Sequence, residues 1–321
     1  MPPPSRPNGP RLIPVADLDH PQLEPYRNQK DAWLRAQRLG GTGLPDPAGQ
    51  DGLFIAEGEL VVRALFESAC QVCSVLLTPA RLRTMRQAID RLPADTPVFL
   101  ADRDVLARIV GFDVHRGVLA VGRRTHRPDA MELARSAQCL LVLEGLTNHD
   151  NVGSLFRSFS ALAPRPLAVL LCPRCADPFY RKSLRVSMGH VLTVPSARLE
   201  QWPADLLRLE KLGYQTIALT PSPQATALSQ LPVRCPPQRV ALLVGAEGPG
   251  LTPQAMDAAA WRVRIEMHPG VDSLNVAVSA AIALATLCRP HPSAGPPDAP
   301  LATDSQTLGP KRGTTRPGER L

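Results

Sequence analysis

Between residues 53 and 124, apolar and polar positions alternate in short blocks whose period switches between helical and extended. The spacing predicts helix over Glu57–Ser68, Arg81–Leu92 and Val105–Val110, and extended chain over Val75–Leu77, Val98–Leu100 and Gly117–Val121. Pro79, Pro93 and Pro97 punctuate this stretch, and Gly111 stands where a helix would end. That is the pattern of a small α/β unit. From residue 139 the pattern changes. The runs Cys139–Leu143, Leu167–Leu171, Val191–Val194, Thr216–Leu219, Val240–Val244 and Val263–Ile265 show no alternation, as expected for parallel strands buried on both faces. Helical stretches at Val152–Leu162, Tyr180–Met188, Ala204–Leu212, Pro253–Ala260 and Val276–Cys288 separate most of them, which predicts a doubly wound parallel sheet.

Residues 1–18 and 290–321 are rich in Pro, Gly, Ser and Thr and lack any hydrophobic period, so both are expected to be disordered tails. The expected organisation is an N-terminal unit over 19–124, a linker over 125–138 and a second unit over 139–289. A basic helix candidate, Tyr26–Leu39, opens the first unit with Arg27, Lys30, Arg35 and Arg38 beside Trp33 and Leu34. It reads either as a phosphate-contacting helix or as a solvated face docked by its apolar residues. Arg123-Arg124-Thr125-His126-Arg127-Pro128 reads as a basic linker with a proline stop; just before it, His115 and Arg116 are candidate RNA contacts or part of a turn at Gly117.

The 321 residues carry a formal charge of +7, and the last 32 hold four basic residues against three acidic ones, so the basicity belongs to the rest of the chain. A basic balance favours polyanionic partners without naming one. No run approaches the ~18 apolar residues of a membrane span, and the Pro-rich start lacks the apolar core of a signal peptide, so a cytoplasmic protein is expected. Among the seven cysteines, Cys70/Cys73 and Cys172/Cys175 are CxxC pairs, but they fall in different expected units, and buried reduced thiols are the simpler reading. No metal is expected.

Three segments remain, each directly after an apolar run: Asn151-Val152-Gly153-Ser154-Leu155-Phe156-Arg157, Gly245-Ala246-Glu247-Gly248-Pro249-Gly250-Leu251 and Ser273-Leu274-Asn275-Val276. Ends of strands leading into helices are where open α/β sheets build a ligand crevice, so one shared site is expected. Asn151 stands as a helix N-cap, with Gly153 and Arg157 on one helical face. The glycine loop after Val240–Val244 lets backbone approach a ligand, and Thr252-Pro253 starts the next helix. Its spacing is not G-x-G-x-x-G and it comes late, which argues against a dinucleotide-binding fingerprint. Taken singly, the segments also read as a capped helix with a surface Arg, a tight turn, and a pair of helix caps.

Together the three segments resemble the motifs of the SpoU (TrmH-like) RNA ribose 2'-O-methyltransferases of the SPOUT superfamily. The resemblance runs motif by motif over residues 139–289 and loosely over 53–124. It implies a parallel-sheet methyltransferase fold with a trefoil knot, preceded by a small L30e-like RNA-binding part. It implies S-adenosylmethionine as cofactor, contacted by Val244, Gly245, Gly248, Ile265, Met267, Leu274 and Ala277. It implies catalytic roles for Asn151, Arg157, Glu247, Ser273 and Asn275, with Arg157 either a base or a positioning group at the ribose 2'-hydroxyl. RNA contacts are expected at Arg116, Lys182 and Arg185, with Ser187 beside them; a solvated helical face is the other reading of that stretch. The implied activity is methylation of rRNA or tRNA, with rRNA favoured, by a homodimer. A non-catalytic RNA-binding ribosome-assembly factor of the same fold is the alternative.

Overall fold

The computed structural model describes residues 9–27, 31, 52–111, 117–125 and 128–288. Its first sheet comprises β1 (Arg11–Pro14), β2 (Leu53–Glu57), β3 (Gln71–Leu77), β4 (Pro97–Leu100) and β5 (Val118–Arg123), with α1 (Glu59–Phe66), α2 (Pro79–Ile89) and α3 (Arg103–Val110) between strands. The strand order is β1-β4-β3-β5-β2; β4 pairs in parallel with β1 and β3, while β5 runs antiparallel to β3 and β2. Caps set the helix ends. Thr78 accepts from the Arg81 N–H ahead of Pro79, and Gly111 closes α3 in the left-handed conformation.

β1 corrects the expectation of a structureless segment over residues 1–18. Four residues are too few to reveal a period, and only pairing with β4 defines them as a strand. Of the basic helix candidate, Tyr26 belongs to a 3-10 turn (Pro21–Tyr26) and its buried hydroxyl meets Ser74 Oγ at 2.8 Å. Arg27 pairs with Glu24, and the rest of that candidate lies outside the described residues except Asp31.

The second half runs α4 (Ala130–Ser136), β6 (Cys139–Glu144), α5 (His149–Leu162), β7 (Leu167–Leu171), α6 (Arg181–Val186), α7 (His190–Thr193), β8 (Ser196–Arg198), α8 (Asp205–Lys211), β9 (Tyr214–Leu219), β10 (Thr226–Ala227), β11 (Arg239–Gly245), α9 (Pro253–Ala258), β12 (Trp261–Arg264) and α10 (Val276–Leu287). Seven strands form one all-parallel sheet in the order β10-β12-β9-β11-β6-β7-β8. Two expectations change. The run Val191–Val194 falls mainly in α7, with β8 after it; a four-residue apolar run fits a buried helix turn as well as a strand. Residues expected as linker carry α4, capped by Asp129 and packed by Ala130, Met131 and Ala134 onto the sheet.

Alternation inside the buried strands sorts the core. Cys139, Leu141 and Leu143 of β6, with Val240, Leu242 and Val244 of β11, face one side; Leu140, Val142, Ala241 and Leu243 face the other. The first side is continuous with Phe54, Ala56, Val75 and Leu77 of the first sheet, so the two sheets share a core. The ring of Phe54 meets Phe179 edge-on at 5.1 Å, and Arg124 bonds Asp177 at 2.5 Å with both side chains nearly buried. Among the described residues, no helix is long and apolar enough to cross a membrane.

Candidate active site

β11 ends at Gly245, in register with Glu144 at the end of β6. A Cβ on Gly245 would lie 2.1 Å from the Gly250 carbonyl carbon, so the loop 246–250 folds back onto the strand end only because residue 245 has no side chain. The Gly250 N–H closes the loop on the Ala246 carbonyl, and Gly248 sits at φ +85°. Glu144, 1% exposed, fastens the far end: its carboxylate accepts from the Thr252 N–H and hydroxyl, both at 2.8 Å, and from Trp202 Nε1 at 2.6 Å. A buried carboxylate is tolerable only with such partners, and these three make the loop rigid.

Asn151, Glu247 and Asn275 meet above this loop. Asn275 is the N-cap of α10, its Oδ1 accepting from the Ala277 and Val278 N–H groups. That leaves its amide nitrogen to donate to Asn151 Oδ1 at 3.0 Å and Glu247 Oε1 at 3.4 Å. Asn151 Nδ2 donates to Glu247 Oε1 at 2.6 Å, so the three segments separated by up to 124 positions form one hydrogen-bonded node. Asn151 is not the N-cap of α5, as expected from sequence. Asn148 takes that place by accepting from the Asp150 N–H, and Asn151 lies inside the first turn, buried, where its side chain can reach the node.

The node borders a cavity of about 460 Å³ at the carboxyl ends of β9, β11 and β12, a size ordinary for small-molecule sites. Val244, Gly245, Gly248, Ile265, Met267, Leu274, Glu247, Ser273 and Asn275 line it, which gathers most of the expected cofactor and catalytic positions. Ala277 does not; it is 7% exposed and faces the core from the first turn of α10. Sequence reading missed Leu219, Thr220 and Ser279 on the wall and Glu144 behind the loop, because none belongs to a motif and the strand order alone brings β9 beside β11.

Comparison with known proteins agrees with this geometry. Residues 138–285 match the model of the SpoU rRNA Methylase family. An uncharacterized tRNA/rRNA methyltransferase of Mycobacterium tuberculosis is 39% identical over 290 residues, covering 90% of this chain and 96% of that one. This chain belongs to the SpoU methyltransferase family. A 23S rRNA (guanosine-2'-O-)-methyltransferase, RlmB, of Nitrosomonas europaea is 28% identical over 61% of this chain and 75% of that one. In fold, the SpoU chain is similar to the crystal structure of an AdoMet-bound rRNA methyltransferase from Sinorhizobium meliloti, with TM-score 0.65, 21% identity, and coverage of 86% and 97% of the two chains.

The remaining expected residues of this SpoU protein lie away from the node. Gly153 faces α6, where a Cβ would come 2.7 Å from the Ser183 carbonyl oxygen, so that face of α5 is packed rather than open. Arg157, one helical turn further, is exposed; it makes no side-chain hydrogen bond among the described residues and does not line the cavity. Burial, then the charges of Arg157 and Arg165, hold His190 of α7 below its usual value of 6.5. Lys182 pairs with Asp150 at 2.6 Å, Arg185 is exposed, and Ser187 is buried, its hydroxyl donating to the Leu184 carbonyl within the turn after α6. Arg116 lies outside the described residues.

Cys172 and Cys175 are buried with sulfurs 3.8 Å apart at the end of β7. The Cys175 thiol, with the Gly145 and Arg174 N–H groups, pushes Cys172 down to about 6, while the hydrogen bond to Cys172, and then burial, push Cys175 up. No helix opens at this pair, as a thioredoxin-like motif would require; Asp177-Pro178 intervenes before α6.

Proposed function

We propose that this chain is an S-adenosylmethionine-dependent RNA 2'-O-ribose methyltransferase acting on rRNA or tRNA, with rRNA favoured. The observation that carries the reading is the Asn151–Glu247–Asn275 node at the mouth of a cavity walled by the glycine loop and by apolar Leu219, Ile265, Met267 and Leu274. Open backbone and apolar walls suit an adenine and a thioether chain, so the residues present fit this cofactor. Relatives support the chemistry: RlmB of Nitrosomonas europaea and the 23S rRNA (guanosine(2553)-2'-O)-methyltransferase RlmP of Bacillus subtilis carry 2'-O-ribose transfer in their names.

When bound, S-adenosylmethionine supplies an electrophilic methyl group on a sulfonium. The protein's part is then to hold a ribose hydroxyl in line, since a weak nucleophile gains most from being aimed. Glu247, fixed by two amides, offers its carboxylate at the cavity mouth with geometry set before RNA arrives. Arg157 presents a planar fork of donors and no acceptor, so it orients the ribose and its phosphate rather than acting as base. Lys182 and Arg185 on α6 extend the basic surface along which RNA phosphates lie.

The same reading includes an L30e-like RNA-binding role for the first sheet, a knotted second sheet and a homodimer. After β12 the chain meets the glycine loop, Asn275 donating to Glu247, and ends in α10 packed on α5, which supports the knot. Val271, Leu274, Val278 and Ile282 are exposed along the segment that enters α10 and on α10 itself, and Arg157 stands off the cavity of its own chain; both support a second copy completing the site.

The test is transfer of labelled methyl from S-adenosylmethionine to unmodified ribosomal and transfer RNA by wild type and Arg157→Ala, with mapping of alkali-resistant linkages. Transfer to ribose that falls at least a hundredfold in the variant supports the reading. Tight cofactor binding with no transfer to either RNA, or methyl groups found only on bases, overturns it.

A further inference from the structure

Neither CxxC pair meets the other in the fold, and the cysteines that do converge are ones that no spacing marks. Cys139 opens β6, Cys235 lies in the loop before β11, and Cys288 follows the last turn of α10; their sulfurs all lie within 4.8 Å of one another. Among the described residues this is the one group of three or more metal-ligating side chains so close together. Cys139 and Cys235 are fully buried and Cys288 is half-buried.

Contacts beyond the thiols themselves hold the three segments together. The Cys235 N–H donates to the Leu287 carbonyl at 2.9 Å, which sets the loop against the end of α10. Val240 pairs with Cys139 in the parallel ladder, and Gln138 Nε2 donates to the Pro237 and Gln238 carbonyls. The thiols are thus placed before any ligand arrives.

Zinc binds thiolates at about 2.3 Å in a tetrahedron, which puts ligand sulfurs about 3.8 Å apart. The three sulfurs reach that spacing by closing no more than about 1 Å. A donor set of sulfur alone selects a thiophilic cation over magnesium or calcium. A divalent charge offsets two of the three thiolates, which a monovalent ion would not, and the half-buried side at Cys288 leaves a path for entry and for water in the fourth position.

We propose that Cys139, Cys235 and Cys288 form a three-thiolate site for a thiophilic divalent cation of the zinc class. Such an ion ties the end of α10 to the starts of β6 and β11. The N-terminus of that same helix carries Asn275, so the ion secures the helix on which the node depends.

The test titrates the reduced, metal-stripped full chain with Co²⁺ and then Zn²⁺. One equivalent of Co²⁺ is expected to give a thiolate-to-cobalt charge-transfer band that Zn²⁺ bleaches. The band is expected to disappear in Cys235→Ser and Cys288→Ser and to persist in a Cys172→Ser/Cys175→Ser variant. Zn²⁺ is expected to raise the Tm of wild type and not of Cys288→Ser, whose fold circular dichroism checks. A missing band in wild type, survival of the band in Cys288→Ser, or its loss in the CxxC variant overturns the proposal.

Discussion

One methyl group at residue 245 decides whether the loop can close. Gly245→Ala places a carbon on the backbone of Gly250, which cannot move as a side-chain tip would, and overpacking of this kind costs about 1–3 kcal/mol. The expected result is a lower Tm and loss of the further rise in Tm that S-adenosylmethionine gives to wild type. A variant that melts and binds like wild type would mean the loop has another closed form. Asn275 does two jobs that substitution can separate. Asn275→Asp keeps the N-cap oxygen but loses the amide donors and sets a second carboxylate against Glu247. It is expected to stay within about 1 kcal/mol of wild-type stability while methyl transfer falls at least tenfold; Asn275→Ala is expected to lose both. Equal loss of stability in the two variants would reduce Asn275 to a cap. The motifs gave these residues from sequence. What sequence withheld was their bonding, because the position of Asn151 inside the first turn depends on Asn148 taking the cap.

At the scale of elements, the helical and extended blocks were largely legible because each long run is bounded by a cap, a glycine or a proline. Beyond β2, where no strand was expected, and α4, hidden in the expected linker, the failures share a cause. β1, β8 and β10 are four residues or fewer, and α7 is a single turn, so pairing and packing rather than period define them. The packing of α5 on α6 through Gly153 carries a prediction of its own. Gly153→Ala drives a Cβ into the Ser183 carbonyl and is expected to cost about 1–3 kcal/mol and to weaken RNA binding by shifting Lys182 and Arg185. Unchanged affinity in a filter-binding assay would take α6 out of the RNA surface. Next to this pair, His190 titrates below 6.5 because it is partly buried beside Arg157 and Arg165. The fold favours its neutral form, so this group contributes nothing above the unfolded value and destabilises as pH falls through the folded one. Removing a charge with Arg157→Ala is expected to raise the His190 pKa; a nuclear magnetic resonance titration showing no change or a fall would separate the two side chains.

At the scale of the whole molecule, sequence divided the chain at a basic linker, and the structure places Arg124 of that stretch in a nearly buried pair with Asp177, its guanidinium 4.0 Å from the Phe179 ring. Buried partnership cannot be read from a run of arginines, since the carboxylate lies 53 positions away. Arg124→Ala removes one partner of Asp177, which keeps the Phe179 N–H, and is expected to lower stability by about 1–3 kcal/mol in denaturant melts, whereas an unchanged melt would mean water reaches the site. Phe54 and Phe179 continue the same seam, and the residues around them belong to a core that neither sheet completes alone. The protein is therefore not two exchangeable modules on a string. A fragment beginning near residue 128 would present to water the apolar surface that β2 and α1 now cover, and grafting a foreign front half would require that surface to be redesigned along with it.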